Sequence, residues 1–327
     1  MNTLIPPNRA ATPEEAGFQQ KLSDLLRELR EKQERNAALA RQLADRQKET
    51  DENTELYKRN VLFAEVLTHD QEQQAALTLI LQNIAYGQPE ACPTPPQEMP
   101  PDLVAAYTMN GRVAVTDRWV NDTYPRNYPL IYTDSEIEYF HRRIAENSTY
   151  MYGGLDLLIR RAFEKYPLAG KRVVNIGSLS PWFEATLLRY GALPTTLDYN
   201  TIVARTSRVK CMTVAELGTD PEKFDAALSI SSYEHDGLGA YGDPLDPDGD
   251  FKAMQKLKRL VKPGGLLFLN VSIGAERLEW NRARIYGKFR LPSFLRGWTW
   301  VDAFGFNEMF WEGQFDGEPV MVLRNDD

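Results

Sequence analysis

The chain has 327 residues, 43% of them hydrophobic, with 38 basic and 46 acidic side chains and a formal net charge of −8. That is long enough for a sizeable core, while the acidic balance disfavours a nucleic-acid partner, which needs a basic face. The two cysteines and three histidines are dispersed, which excludes a disulfide framework and the usual zinc patterns.

Residues 1–18, "MNTLIPPNRAATPEEAGF", have no apolar core of a secretory signal and are expected to form a flexible N-terminus. No run approaches the ~18 apolar residues that span a bilayer, so no transmembrane segment is expected. A cytoplasmic location follows, with any membrane association peripheral and through a partner. In that compartment the sequons at Asn121, Asn147 and Asn270 go unused.

Residues 19–60 are rich in Glu, Lys, Arg and Gln, without glycine or proline. Leu22, Leu29, Asn36 and Leu43 recur every seventh position, with Leu25 and Leu39 on the intervening seam. This spacing predicts an N-terminal α-helical coiled coil and a homo-oligomer, Asn36 fixing register at a cost in stability. A single solvated helix is the alternative, although isolated helices need packing to persist. Residues 61–86 read as a further helical segment with a richer apolar side. Residues 87–101 contain six prolines and read as an extended linker.

From residue 102 to 327 strand and helix patterns alternate. "SEIEYFHRRIAENS" predicts a helix with Ser135 as N-cap and Glu138 three residues on. "YGGLDLLIRRAFEKYP" predicts a second, closing before Pro167. Then follow the strand "RVVNIG", the helix "PWFEATLLRYG" stopped by Gly191, and the strands "LPTTLDYN" and "FDAALSISS". The helix "DFKAMQKLKRLVKPGG" with a glycine stop, the strand "LLFLNVSI" and a closing pair, "WTWVDAFGF" and "PVMVLRN", complete the set. Such alternation predicts an α/β domain, a Rossmann-like doubly wound, mostly parallel sheet with helices on both faces.

In an open sheet of this kind ligands lie outside the carboxyl ends of the strands. Asp198 ends the second strand about 20 residues after Gly177, the spacing of an acid that binds ribose hydroxyls. A pyrophosphate also demands G-x-G-x-x-G, whereas this turn reads Gly177-Ser178-Leu179-Ser180-Pro181-Trp182. S-adenosylmethionine has the adenosine without the phosphates, and one glycine can suffice for its turn. It is therefore the expected cofactor, with Asn175, Gly177, Ser178, Asp198, Tyr199 and Ser231 as its candidate contacts. A nucleophile elbow needs glycine two positions after the serine, and a P-loop needs G-K-[ST]; neither is present.

"VVNIGS", Asp198, the helix–Pro-Gly-Gly–strand segment "LKRLVKPGGLLFLNV" and the closing strand pair resemble class I S-adenosylmethionine-dependent methyltransferases from about residue 165 to 325. "GSLSPWFEATLLRYGA", "SISSYEHDGLGAYGDPLDPDGD" and "WNRARIYGKFRLP" are more particular. They are similar to a methyltransferase-like family, a domain of unknown function first named from nematode sequences. That resemblance implies a methyltransferase-like domain over 102–327, an acceptor hydroxyl on a surface polysaccharide or its precursor, and docking to a glycan-assembly enzyme.

Methyl transfer to a hydroxyl needs positioning and removal of one proton. His235, just past the fourth strand, is the candidate general base, since an imidazole titrates near ~6.5. Glu234 or Asp236 would orient it; alternatively His235 only caps a loop and packs on Tyr233. Acceptor contacts are expected from Tyr233, Trp280, Asn281, Arg284 and Tyr286, the alternative being a basic surface loop around a core tryptophan. The arginines would suit an acidic or phosphorylated saccharide. Asp246, Asp248 and Asp250 have calcium-loop spacing, but Phe251 and Leu257 stand where glycine and glutamate are required. A helix-starting turn is expected there and no metal is assigned. The rival to catalysis is a degenerate, non-catalytic module that binds a ligand or scaffolds through its coiled coil.

Overall fold

The computed structural model describes residues 94–121, 130–150, 152–218, 221–314 and 316–326. The chain divides into two units, 1–87 and 88–327, and every described residue lies in the second. The expected coiled coil, the helical segment after it and the start of the linker lie outside the described residues. From residue 94 the linker is docked on the domain. The Pro95 carbonyl accepts from the Trp119 indole at 3.3 Å and the Gln97 carbonyl from that of Trp280 at 3.1 Å.

After a short helix α1 (Val104–Tyr107) come β1 (Ala114–Asp117) and β2 (Leu130–Thr133), then α2 (Asp134–Ala145) and α3 (Gly154–Lys165). The N-cap of α2 is Thr133 rather than Ser135. Its hydroxyl accepts from the Glu136 N–H while the Glu136 carboxylate accepts from the Thr133 N–H. Asp134 and Ser135 are already helical, so the reciprocal pair closes two residues earlier than expected.

Next come β3 (Arg172–Ile176), α4 (Trp182–Arg189), β4 (Leu193–Asp198), β5 (Ile202–Arg205), which pairs with β2 in a separate ribbon, and β6 (Lys210–Thr213). Gly191 stops α4 as the spacing predicts: its φ is +75°, and the Ala192 N–H returns to the Leu187 carbonyl at 3.0 Å. Then follow β7 (Phe224–Ile230), α5 (Gly249–Leu260) and β8 (Val261–Asn270). Helix α5 ends at Leu260, before the Pro-Gly-Gly turn rather than at it, because Val261 is already extended. The remainder is β9 (Arg277–Trp280), β10 (Ala283–Ile285), α6 (Arg290–Phe294), β11 (Trp298–Phe304), α7 (Glu308–Trp311) and β12 (Val320–Asn325).

Seven strands form one sheet in the order β6-β4-β3-β7-β8-β12-β11. Neighbours from β6 to β8 pair in parallel, and β12 runs antiparallel between β8 and β11. The chain fills one side of β3 and then crosses to the other with β7. The strand order therefore reverses at β3, which places a crevice at the carboxyl ends of β3, β4 and β7.

Alternation along the strands divides the core. Val173, Leu228, Phe268 and Val322 face Ile159, Phe163 and Leu187 of α3 and α4. Val174, Ala227, Leu267 and Leu323 face Met254, Leu257 and Phe294 of α5 and α6. Strands buried on both faces read as continuous apolar runs, which is why they stand out in the sequence.

The 274–292 stretch, expected to hold the acceptor or else to be a basic surface loop, contains a hairpin, β9 and β10, with β1 parallel to β9. Two of its arginines, Arg284 and Arg290, are buried. Arg290 makes two hydrogen bonds to the buried Asp250, at 2.9 and 2.5 Å, and stacks 4.2 Å over the Phe251 ring. Tyr286 donates to the same carboxylate at 2.9 Å, and Arg284 lies 3.9 Å away. Burial alone would push Asp250 upward, but Arg284 and Arg290 overcome it and hold the carboxyl below its ordinary range. The turn that opens α5 is thus anchored by a buried ion network. Asp246, the first of the three spaced acids, pairs with Lys252 at 2.6 Å. Because the folded-state value of Asp250 is depressed, its contribution is complete above about pH 4 and is lost as pH falls through the folded value. Asp250→Asn should lower the unfolding free energy at pH 7 by roughly 3 kcal/mol in urea titrations, and the deficit should shrink on acidification. An unchanged midpoint would remove the network from the fold's support.

Candidate functional site

Gly177 follows β3 with φ +66°, and a Cβ built on it would lie 2.5 Å from Ser232 Oγ. The glycine is required by the close approach of the turn after β3 to the turn after β7, where Ser231 also has a positive φ of +45°. The rest of the first turn is held by side chains. Ser178 Oγ donates to the Ser180 carbonyl at 2.9 Å and lies 3.3 Å from Glu184 Oε2 on α4. Glu184 is fully buried and accepts from Asn175 Nδ2 at 2.8 Å and from the Thr196 hydroxyl at 2.5 Å. Burial pushes its carboxyl up.

Asp198 ends β4. Its carboxylate accepts from the Asn200 N–H at 2.7 Å and from the Ser178 N–H at 3.4 Å, joining the first turn to the second. Burial raises this carboxyl too. Between these turns, the turn after β7 and α5 lies a cavity of about 380 Å³. Leu197, Val214, Leu257 and Leu260 supply part of its apolar wall; Asp198, Asp236 and Asp243 supply carboxyl groups. Among the described residues, the cations on the wall are Lys256 and Arg282. Arg282 is itself bonded to Glu279 at 2.6 Å.

His235 sits in a 3-10 turn, Tyr233–His235, and lines the cavity. Its Nδ1 lies 2.5 Å from the Arg282 carbonyl oxygen, and its Nε2 is 4.0 Å from Glu234 Oε1. A carbonyl accepts and cannot donate, so Nδ1 carries the proton and Nε2 the lone pair. Glu234 is buried, and its Oε2 has no hydrogen-bond partner among the described residues. Burial raises its carboxyl, against the pull of His235. The ring of His235 packs edge-on to Tyr241, centroids 5.3 Å apart, rather than on Tyr233.

Residues 170–311 match the family described as Caenorhabditis protein of unknown function, DUF268. That segment runs from just before β3 through α7 and carries all three turns of the cavity. No curated protein matches the chain. Among solved structures it is similar to the Burkholderia thailandensis 1,6-didemethyltoxoflavin-N1-methyltransferase, at 19% identity and TM-score 0.38, over 51% of this chain and 76% of that one. It is also similar to the N-methyltransferase NodS of Bradyrhizobium japonicum, at 17% identity and TM-score 0.37, over 53% and 94% respectively. The fold assignment itself rests on strand order and register.

Of the predicted cofactor contacts, Gly177, Ser178, Asp198, Tyr199 and Ser231 line the cavity. Asn175 does not: it is fully buried beneath the turn, committed to Glu184. Of the predicted catalytic group, His235 and Asp236 line the cavity, and Glu234 lies behind them. Tyr233 lines it as well, whereas Trp280, Asn281, Arg284 and Tyr286 do not. Trp280 packs against Tyr107, ring centroids 5.3 Å apart, and Asn281 is spent on both backbone groups of Val120. Arg284 donates to the Asp236 carbonyl at 2.5 Å, and Tyr286 is the Asp250 partner. These four residues support the wall without forming it. Tyr152, Tyr241, Asp243, Lys256 and Arg282 take their place, from elements whose convergence no local pattern announces. Trp182, whose bulk could have filled the hollow, lines it without filling it: the side chain is buried, its indole N–H donating to Asp156 at 3.0 Å.

Gly177→Ala should destabilise the domain by about 1–3 kcal/mol and narrow the cavity, from the positive φ and the Ser232 approach together. Adding Ser232→Gly should recover the steric part and leave the backbone part, as a double-mutant cycle of melting curves would show. Additive losses would mean that the two turns do not press on each other.

Proposed function

We propose that the domain is an S-adenosylmethionine-dependent O-methyltransferase acting on a sugar hydroxyl of a surface polysaccharide or its precursor. The observation that carries this reading is the acid-lined cavity at the switch point, bounded by Gly177 on one turn and Asp198 on the next. A pyrophosphate would meet Asp198, Asp236 and Asp243 there, with neither the second nor the third glycine of a phosphate-binding turn. Burial raises Asp198 and Asp236; a sulfonium would draw both toward their ionised form, and the apolar wall suits a purine. The residues present therefore fit a positively charged adenosyl donor. Asp198 would hold its ribose hydroxyls, with Gly177, Ser178, Tyr199 and Ser231 around it. The bound donor supplies a methyl group already activated for displacement.

The chain's own task is to place the acceptor and take its proton. His235 Nε2, left with the lone pair by the Nδ1–H bond to Arg282, is the proposed base. As the ring takes on positive charge, Glu234 behind it is drawn toward its ionised form, which supports that charge in a dry setting. Asp236 and Tyr233 stand beside it on the wall. The aromatic faces of Tyr152 and Tyr241 suit a sugar ring, and a neutral acceptor fits this wall better than an acidic or phosphorylated one. The glycan class itself follows from the family resemblance. Among the described residues no helix is long and apolar enough to cross a membrane.

Calorimetry with S-adenosylhomocysteine should show binding to the wild-type chain and its loss in Asp198→Ala. His235→Ala should keep that affinity within a few-fold while abolishing methyl transfer to extracted glycan, read as a one-methyl mass increment. A wild-type chain that binds no donor would leave the non-catalytic module as the standing account.

A further inference from the structure

The first turn of the cavity lacks the glycines that let a backbone wrap a ligand unaided, yet it is tied at several points from outside. The Ser178 carbonyl accepts from the hydroxyl of Tyr132 at 2.9 Å. Tyr132 is buried and lies on β2, a strand outside the central sheet. The same strand pairs in parallel with β5, Tyr132 opposite Ala204, and β5 begins directly after the Asp198–Asn200 turn. One short strand thus grips both turns that frame the cavity, one through a side chain and one through its ladder. Behind the first turn, Glu184 holds the Ser178 hydroxyl from α4 and is itself fixed by Asn175 on β3 and Thr196 on β4. Helix α2, which β2 feeds, packs on α4 with Phe140 and Trp182 edge to face at 5.5 Å. Its first residue, Asp134, also accepts from the hydroxyl of Thr206, the residue just after β5, at 2.5 Å.

We infer that Tyr132 and Glu184 are positioning residues that hold the 177–180 turn in its ligand-competent shape, doing with side chains what glycines do elsewhere, and that β2 is the brace coupling this turn to the Asp198 turn. The inference rests on the donor-binding reading above. A turn released from its ties populates other shapes, and apparent affinity falls by the fraction that remains competent. Tyr132→Phe removes one hydroxyl from a buried ring and leaves its packing in place. Losing one such bond costs enough to weaken binding about 5- to 10-fold.

The experiment titrates S-adenosylhomocysteine by calorimetry into full-length wild type, Tyr132→Phe, Glu184→Gln and Glu184→Ala, with Tyr190→Phe as a distant control. Melting temperature and amide hydrogen exchange across 177–180 are read on each. The brace is supported if Tyr132→Phe weakens binding about 5- to 10-fold and speeds exchange in that turn while its melting temperature falls by no more than ~4 °C. Glu184→Gln, which keeps a carbonyl oxygen for Asn175 and Thr196, should then stay close to wild type, and Glu184→Ala should not. The brace is overturned if wild type binds and Tyr132→Phe binds equally well. It is also overturned if affinity falls only in step with melting temperature. A wild-type chain that binds nothing sinks the donor reading instead, and the exchange comparison still decides the brace: equal exchange in Tyr132→Phe and wild type refutes it. Should Tyr132→Phe not fold, Thr206→Val takes its place, removing the hydroxyl that ties the start of α2, and so the end of β2, to the residue after β5, and is read by the same two measurements.

Discussion

A carboxylate with no access to water, Glu184, sits where two strands, a turn and a helix meet. An acid in that position must find donors or lose its charge, and it finds Asn175 from β3, Thr196 from β4 and Ser178 from the turn above. An unmet donor or acceptor in so dry a place costs more than a formed bond returns, so each partner is constrained by the others. The floor of the cavity is therefore set by a polar cluster rather than by backbone flexibility. This explains how a turn with Leu179 and Trp182 in place of glycines still leaves a hollow: the turn is drawn down and the indole of Trp182 is drawn aside by Asp156.

Charge is organised on the same principle at the other end of the site. Arg284 and Arg290 look in the sequence like ligands for an anionic sugar, but both are nearly fully buried and serve Asp250 and the carbonyls of Asp236 and Pro247. Their removal from the wall leaves Lys256 and the Glu279-bonded Arg282 as its cations, beside acids and aromatic rings. A planar guanidinium with five donors satisfies several buried acceptors at once, which suits arginine to bracing a glycine-rich loop such as 236–249.

Tyr199 and Leu179 remain about half exposed at the cavity, at 52% and 49%. Apolar side chains left open beside a hollow with a buried polar floor are what a ligand with an aromatic or apolar part would cover. The proposed donor has such a part, and its positive centre would meet the carboxyl side of the same space.

The alternation of strands and helices, the parallel sheet and the positions of Gly177, Asp198 and His235 were legible in the sequence. Each depends on local signals: continuous apolar runs for strands buried on both faces, a glycine or proline at a stop, an acid at a fixed distance from a turn. Composition could not reveal which way a polar side chain would face. Trp280, Asn281, Arg284 and Tyr286 are residue types that bind ligands, yet each is held by a partner far away in the chain, such as Tyr107, Val120 or Asp250, while Asn175 gives its amide N–H to Glu184 nine residues on. The wall residues Tyr152, Tyr241 and Lys256 come from three separate segments with no shared pattern. Whether a hydrogen-bonding group serves a ligand or the fold is decided by what lies within about 3 Å of it, and that is a property of the packed chain alone.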